Sequence, residues 1–151
     1  MAKKIVYVDM DNTIVDFKSG IKRLPKIDIK EYNGREDEHP HIFTLMDPIK
    51  DSIESVKELN KKYDLYVLST APWENANAWK QKRDWIGKYF GDGEENLFYK
   101  KVILSHNKNL NIGDYLIDDR PHNGAENFKG EWIRFGSEEY PDWKSVTKYL
   151  L

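Results

Sequence analysis

The stretch Lys3-Lys4-Ile5-Val6-Tyr7-Val8-Asp9-Met10-Asp11-Asn12-Thr13-Ile14-Val15-Asp16-Phe17, KKIVYVDMDNTIVDF, decides the reading of this chain. Ile5 to Val8 form a continuous apolar run, which suits a strand covered on both faces. The run passes directly into Asp9-Met10-Asp11. Residues two apart on an extended segment face the same side, so two carboxylates meet at the end of a buried strand. Like charges that close repel, and burial adds the loss of hydration. A cation, a reaction or plain solvent exposure would resolve that conflict.

Outward from this stretch, strand and helix patterns alternate. Residues 4–9 read as the first strand, 64–70 (DLYVLST) as the second, 100–105 (KKVILS) as the third, 114–119 (DYLIDD) as the fourth and 131–136 (EWIRFG) as a fifth. Asp47-Pro48 has the form of a helix start, an N-cap acid with proline in the first turn. Ile49, Ile53, Val56, Leu59 and Tyr63 continue it at helical spacing. A second helix is predicted over 73–90 and a closing one through Trp143, Val146 and Leu150. Trp79, Trp85, Trp132 and Trp143 have core-like spacing. Residues 18–46 are polar and interrupted by Pro25, Gly34 and Pro40, and read as an insertion rather than a core unit. The fold class is therefore α/β, a Rossmann-like, mostly parallel sheet flanked by helices in three layers, with a small cap insertion after the first strand. One domain over 1–151 is expected.

Composition narrows the function. Hydrophobic residues make up 39% and charged residues 33% of 151, and the mean hydropathy of -0.79 fits a soluble, cytoplasmic protein. No apolar run is long enough to span a bilayer, and the N-terminus does not read as a signal peptide. The absence of cysteine excludes disulfides and thiolate metal sites. A net charge of -2 with mixed signs provides no basic field for nucleic acid or membrane, so a small-molecule partner is expected. The oligomeric state is open, a homodimer included.

In parallel α/β sheets, ligands bind beyond the carboxyl ends of the strands. Those ends carry Asp9 and Asp11, Ser69 and Thr70, Ser105 followed by Lys108, and Asp118 with Asp119. Singly, each has a plain explanation: a capping pair, a loop lysine, a turn. Together on one rim, hard oxygen ligands without His or Cys select Mg²⁺. Hydroxyls and an ammonium favour a phosphoryl group. Amides at the start of the helix after STAP would point the same way. One aspartate could attack phosphorus, and another could move the proton of the leaving oxygen.

The four motifs IVYVDMDNT, YVLST, Lys108 and YLIDD resemble those of the haloacid dehalogenase superfamily of aspartate-nucleophile phosphohydrolases, over residues 4–119. DMDNTIVDF, LSTAPW, ILSHNK and LIDDRP further resemble the 5′(3′)-deoxyribonucleotidases. That resemblance implies Mg²⁺ and removal of phosphate from deoxynucleoside monophosphates. It implies Asp9 as nucleophile and metal ligand, and Asp11 as acid/base, binding metal through its carbonyl. Ser69, Thr70 and Lys108 would hold phosphate. Asp119 would be the third metal ligand, with Asp118 as an alternative or supporting one. Phe17 falls at a base-side aromatic, and Phe43 and Trp73 are further base-binding candidates. Asn12 departs from the usual Gly of these nucleotidases, and Thr13 from a frequent Val.

Within the insertion, Tyr32 and Phe43 could stack on a base or pack the cap onto the body. His39 and His41 are too few for a metal site. His106 and His122 read as polar loop residues near the motifs. Two other readings use the same residues: a phosphatase for another small phosphoester or a nucleic-acid end, and a phospho-accepting, receiver-like signalling or nucleotide-binding module. The receiver order differs, since its acidic pair follows the first strand, whereas here the pair comes last.

Overall fold

The structure, a computed structural model, describes residues 2–151. In chain order the elements are β1 (Ile5–Val8), β2 (Val15–Asp16), α1 (Phe17–Lys22), α2 (Lys26–Glu31), β3 (Asp47–Pro48), α3 (Ser52–Asn60), β4 (Asp64–Ser69), α4 (Ala76–Phe90), β5 (Val102–Leu104), β6 (Tyr115–Asp118), β7 (Glu131–Arg134) and α5 (Trp143–Leu150). The apolar run of β1 lies at the centre of a parallel sheet ordered β5-β4-β1-β6-β7. Each of the five expected strands is present, a little shorter than its apolar pattern.

Alternation along β1 divides the interior into two faces. Val6 and Val8 enter the main core with Leu65, Val67, Ile117 and Ile133. The same core takes Val56 and Leu59 from α3, Ala78 and Ile86 from α4, and Trp143 and Val146 from α5. Tyr7 points the other way, into a smaller cluster with Leu68, Leu116, Ala125 and Phe128. That second layer is thin: it contains the single-turn 3₁₀ helix Ala125–Asn127 and no long helix. Among the described residues no helix is long and apolar enough to cross a membrane.

Several expectations change. Asp47-Pro48 does not begin a helix. It pairs antiparallel with Val15-Asp16, Asp47 Oδ2 accepts from Arg23 at 2.6 Å, and Ile49 N–H donates to Ile14 O at 2.8 Å. With the segment held in that ladder, the helix starts at Ser52, after Asp51 in a left-handed conformation (φ 65°). Helix α4 begins at Ala76 rather than 73, so residues 71–75 separate it from Thr70. Trp85 and Trp143 are core residues, but Trp79 is 37% exposed and Trp132 is half-buried against the thin layer.

The insertion is more than a polar loop. It contributes Leu24, Ile42, Phe43 and Met46 to the core. Gly20 permits this packing, because a Cβ there would meet Met46 Cγ at 2.8 Å. Polar side chains at the start of α4 then clasp the insertion: Asn75 Nδ2 donates to Asp37 O and His39 O, both at 2.9 Å, and Gln81 Nε2 to Pro40 O at 2.6 Å. His39 is buried for a structural reason. Its Nε2 faces Asp28 Oδ2 at 3.2 Å, and its Nδ1 accepts from His41 N–H at 3.0 Å.

The chain after β1 curls tightly, with the N–H groups of Thr13, Ile14 and Val15 all directed to Met10 O at 2.9–3.0 Å. The fully buried Trp143 fastens this curl through Nε1, which donates to Thr13 O at 2.8 Å. Trp143→Phe keeps most of the packing and leaves that carbonyl unpaired. It is expected to cost about 1–3 kcal/mol of stability, read from urea unfolding; an unchanged midpoint would show that the indole bond contributes nothing.

Candidate active site

Asp9 extends the β1 ladder by one bond, donating from its N–H to Ile117 O at 2.9 Å. Its side chain thereby arrives beside the end of β6, where Asp118 stands. Between them Lys108, carried on the 3₁₀ turn Lys108–Leu110, places Nζ 3.0 Å from Asp9 Oδ1 and 2.5 Å from Asp118 Oδ2. All three residues are buried. Burial works against the lysine charge, but Asp9 and Asp118 outweigh it and raise the Lys108 pKa.

The acids feel the opposite imbalance. Burial first, then the Asp9 charge, pushes Asp118 up to about 6 against the pull of Lys108. Burial, the charges of Asp9 and Asp118, and a hydrogen bond with Asp9 push Asp119 up to about 8. Carboxylate oxygens of Asp9, Asp118 and Asp119 lie within 4.8 Å of one another. This all-oxygen donor set, short of positive charge, fits a hard divalent cation.

Asp11 has a different partner. Its Oδ2 accepts from Lys82 Nζ at 2.9 Å, while Oδ1 is shut off from solvent with no hydrogen bond. Burial raises the Asp11 pKa, opposed by Lys82 and reinforced by Asp9. Lys82, on α4, is completely buried; it also donates to Ser69 Oγ at 3.0 Å and lies 4.7 Å from the centre of the Phe43 ring. Sequence reasoning missed it. The available signal was a lysine four residues after Ala78 and four before Ile86, on the apolar stripe of a helix.

Beside the acids opens a cavity of about 460 Å³, in the range of small-molecule sites. Asp11, Asn12, Phe17, Thr70, His106 and Arg120 are among its walls. A small recess continues from Asp11 and Thr70 to Asp9, Lys108 and Asp118, with His122 at its edge. Asn12 adopts φ 62°, a conformation that Gly and Asn tolerate better than other residues, so Asn in place of Gly is sterically accommodated.

Three expected site residues stand elsewhere. Ser69, expected on phosphate, is 1% exposed and turned toward Lys82, because successive side chains on a strand alternate; Thr70 holds the pocket wall, its hydroxyl donating to Ser105 O at 2.7 Å. Phe43, expected at the base, is buried in the core and meets Phe17 edge-on at 5.9 Å. Trp73 is 78% exposed outside the main cavity, with its ring 6.3 Å from His106.

A central parallel strand ending in paired aspartates, a lysine from a later loop and an acidic pair on the neighbouring strand match the arrangement that the resemblance to the haloacid dehalogenase class implies. The fold agrees with YfnB of Bacillus subtilis, a provisionally assigned HAD-hydrolase solved bound to magnesium: TM-score 0.61 over 99% of each chain, at 11% identity. The chain belongs to the 5′(3′)-deoxyribonucleotidases, a phosphatase family. Residues 35–145 match the family described as 5′ nucleotidase, deoxy (Pyrimidine), cytosolic type C protein. A protein of Vibrio phage KVP40, provisionally named a 5′(3′)-deoxyribonucleotidase, is 53% identical over 98% of this chain and 85% of its own. The 5′(3′)-deoxyribonucleotidase of Bacillus subtilis is 32% identical over 99% of both chains. The human cytosolic 5′(3′)-deoxyribonucleotidase is 26% identical over 97% of this chain and 80% of its own.

The raised acids set a pH dependence. Their folded pKa values, about 6 and about 8, exceed the ordinary 3.8, so the folded state holds the protons more tightly. The stability they contribute is full below the ordinary value and is lost as pH rises through the folded ones. In the presence of a chelator, the melting temperature is expected to fall between about pH 4 and pH 8 and to level off above. Asp119→Asn should flatten the fall; an equally steep slope in that variant would place its cause outside this cluster.

Proposed function

We propose that the protein is a Mg²⁺-dependent 5′(3′)-deoxyribonucleotidase that works through an aspartyl-phosphate. The observation that carries this reading is the Lys108 ammonium between Asp9 and Asp118, in the recess that opens from a nucleotide-sized cavity. Asp9 is the nucleophile. A carboxylate oxygen forms a bond to phosphorus as the bond from phosphorus to the sugar oxygen breaks. Asp11 gives its proton to that leaving oxygen, and later takes one from the water that attacks the acyl phosphate. Hydrolysis releases phosphate and restores Asp9.

Lys108 and Thr70 receive the phosphoryl oxygens. The lysine remains charged because its two acidic partners outweigh its burial. Asp9, Asp118, Asp119 and the Asp11 carbonyl would hold Mg²⁺, which when bound supplies positive charge opposite the phosphoryl oxygens. Phe17 lies on the cavity wall and presents an aromatic surface for the sugar or base. Phe43 acts behind it, by packing rather than contact.

Phosphate release from a panel of deoxynucleoside, ribonucleoside and sugar monophosphates, with and without Mg²⁺, tests the reading. Mg²⁺-dependent release favouring deoxynucleotides is expected, and preference for a sugar phosphate would overturn the substrate. Asp9→Asn is expected to remove turnover while the folded protein persists by circular dichroism; a folded variant that still turns over would exclude Asp9 as nucleophile.

A further inference from the structure

Lys82 has no part in the chemistry just described, yet it is the most unusual buried group in the chain. Its side chain is completely buried, and its ammonium meets Asp11 Oδ2 at 2.9 Å, Ser69 Oγ at 3.0 Å and the Phe43 ring at 4.7 Å. Placing an ammonium there carries a desolvation cost that a well-packed apolar residue would avoid. Held between a strand-end serine, an insertion aromatic and Asp11, the ammonium has a single charged partner, Asp11. Lys108, the other buried lysine of the rim, serves Asp9 and Asp118 instead.

The arrangement distinguishes the two oxygens of Asp11. Oδ2 is held by Lys82, whereas Oδ1 is buried without a hydrogen-bond partner, and the residue borders both the cavity and the recess. We propose that Lys82 is a positioning residue for leaving-group protonation: with Ser69 and Phe43 it fixes the Asp11 carboxyl where the cavity meets the recess, beside the place the ester oxygen of the substrate would take. The inference rests on Asp11 being the acid/base. It also gives Ser69 and Phe43 a role apart from substrate contact, and it connects the insertion to the chemistry through the ring of Phe43. An amphipathic helix carries the device, since α4 both covers the sheet and delivers the lysine.

Leaving-group dependence tests it. A sugar alkoxide must be protonated as it departs, whereas p-nitrophenolate departs without that help. Values of kcat/KM are compared for a deoxynucleoside monophosphate and p-nitrophenyl phosphate, in Mg²⁺, for wild type, Asp11→Asn and Lys82→Met. Lys82→Met is expected to lose roughly 10²-fold on the nucleotide, the lower end of acid/base contributions, and only about 3-fold or less on the aryl ester. A role confined to folding or to phosphate binding would lower both equally, and that result would overturn the proposal, as would an unchanged nucleotide rate. If Lys82→Met does not fold, Lys82→Gln, which keeps a donor for Asp11 and Ser69, carries the same comparison with a smaller selective loss. Asp11→Asn separates the two levels. Selective loss in Asp11→Asn without it in the Lys82 variants overturns the positioning role alone. Equal loss on both esters in Asp11→Asn overturns the acid/base assignment itself.

Discussion

The structure depends on balancing negative charge at the end of one buried strand. Asp9, Asp11, Asp118 and Asp119 crowd the carboxyl edge of the sheet, and among the described residues two buried lysines, Lys108 and Lys82, are paired with members of this group. Four carboxylates against two ammoniums leave a formal deficit of positive charge. Protons can supply it: burial first, and then the neighbouring carboxylate charges, make Asp118 and Asp119 hold theirs tightly. A divalent cation can supply it as well, and the same deficit therefore suits a metal site better than an inert core.

Most of the fold can be understood as the means of delivering those groups. The parallel sheet brings the ends of β1, β4 and β6 to one edge, because parallel neighbours terminate on the same side. Helix α4 carries Lys82 in from the thick face, and the loop after β5 carries Lys108 to the same rim. The curl from Met10 to Val15 is pinned by Trp143 of the last helix, so the C-terminal element fixes the backbone that presents Asp11. The insertion has two functions: its Phe43 seals the Lys82 site, while the 3₁₀ turn containing Glu36 and Asp37 borders the cavity.

Membership of the deoxyribonucleotidases accords with this economy. The chain spans nearly the whole of its Bacillus relative at 32% identity, although the alignment runs over 177 positions against 151 residues here. The apolar residues of the insertion pack directly into the main core.

The sequence by itself determined the strand order of motifs and the chemistry at each strand end. Apolar runs ending in Asp9, Thr70 and Asp118 are local patterns, and period and residue type suffice to read them. It also determined that Asp-Pro at 47–48 resembles a helix start, and there local propensity misleads: the ladder with Val15-Asp16 and the Arg23 contact are made by distant segments. Only the tertiary structure decided that Ser69 turns away from the pocket, that Phe43 is buried and that Lys82 meets Asp11 across 71 residues of chain. These choices depend on which side chains pack against which, and a lysine on an apolar stripe acquires its meaning only once an aspartate is found opposite it.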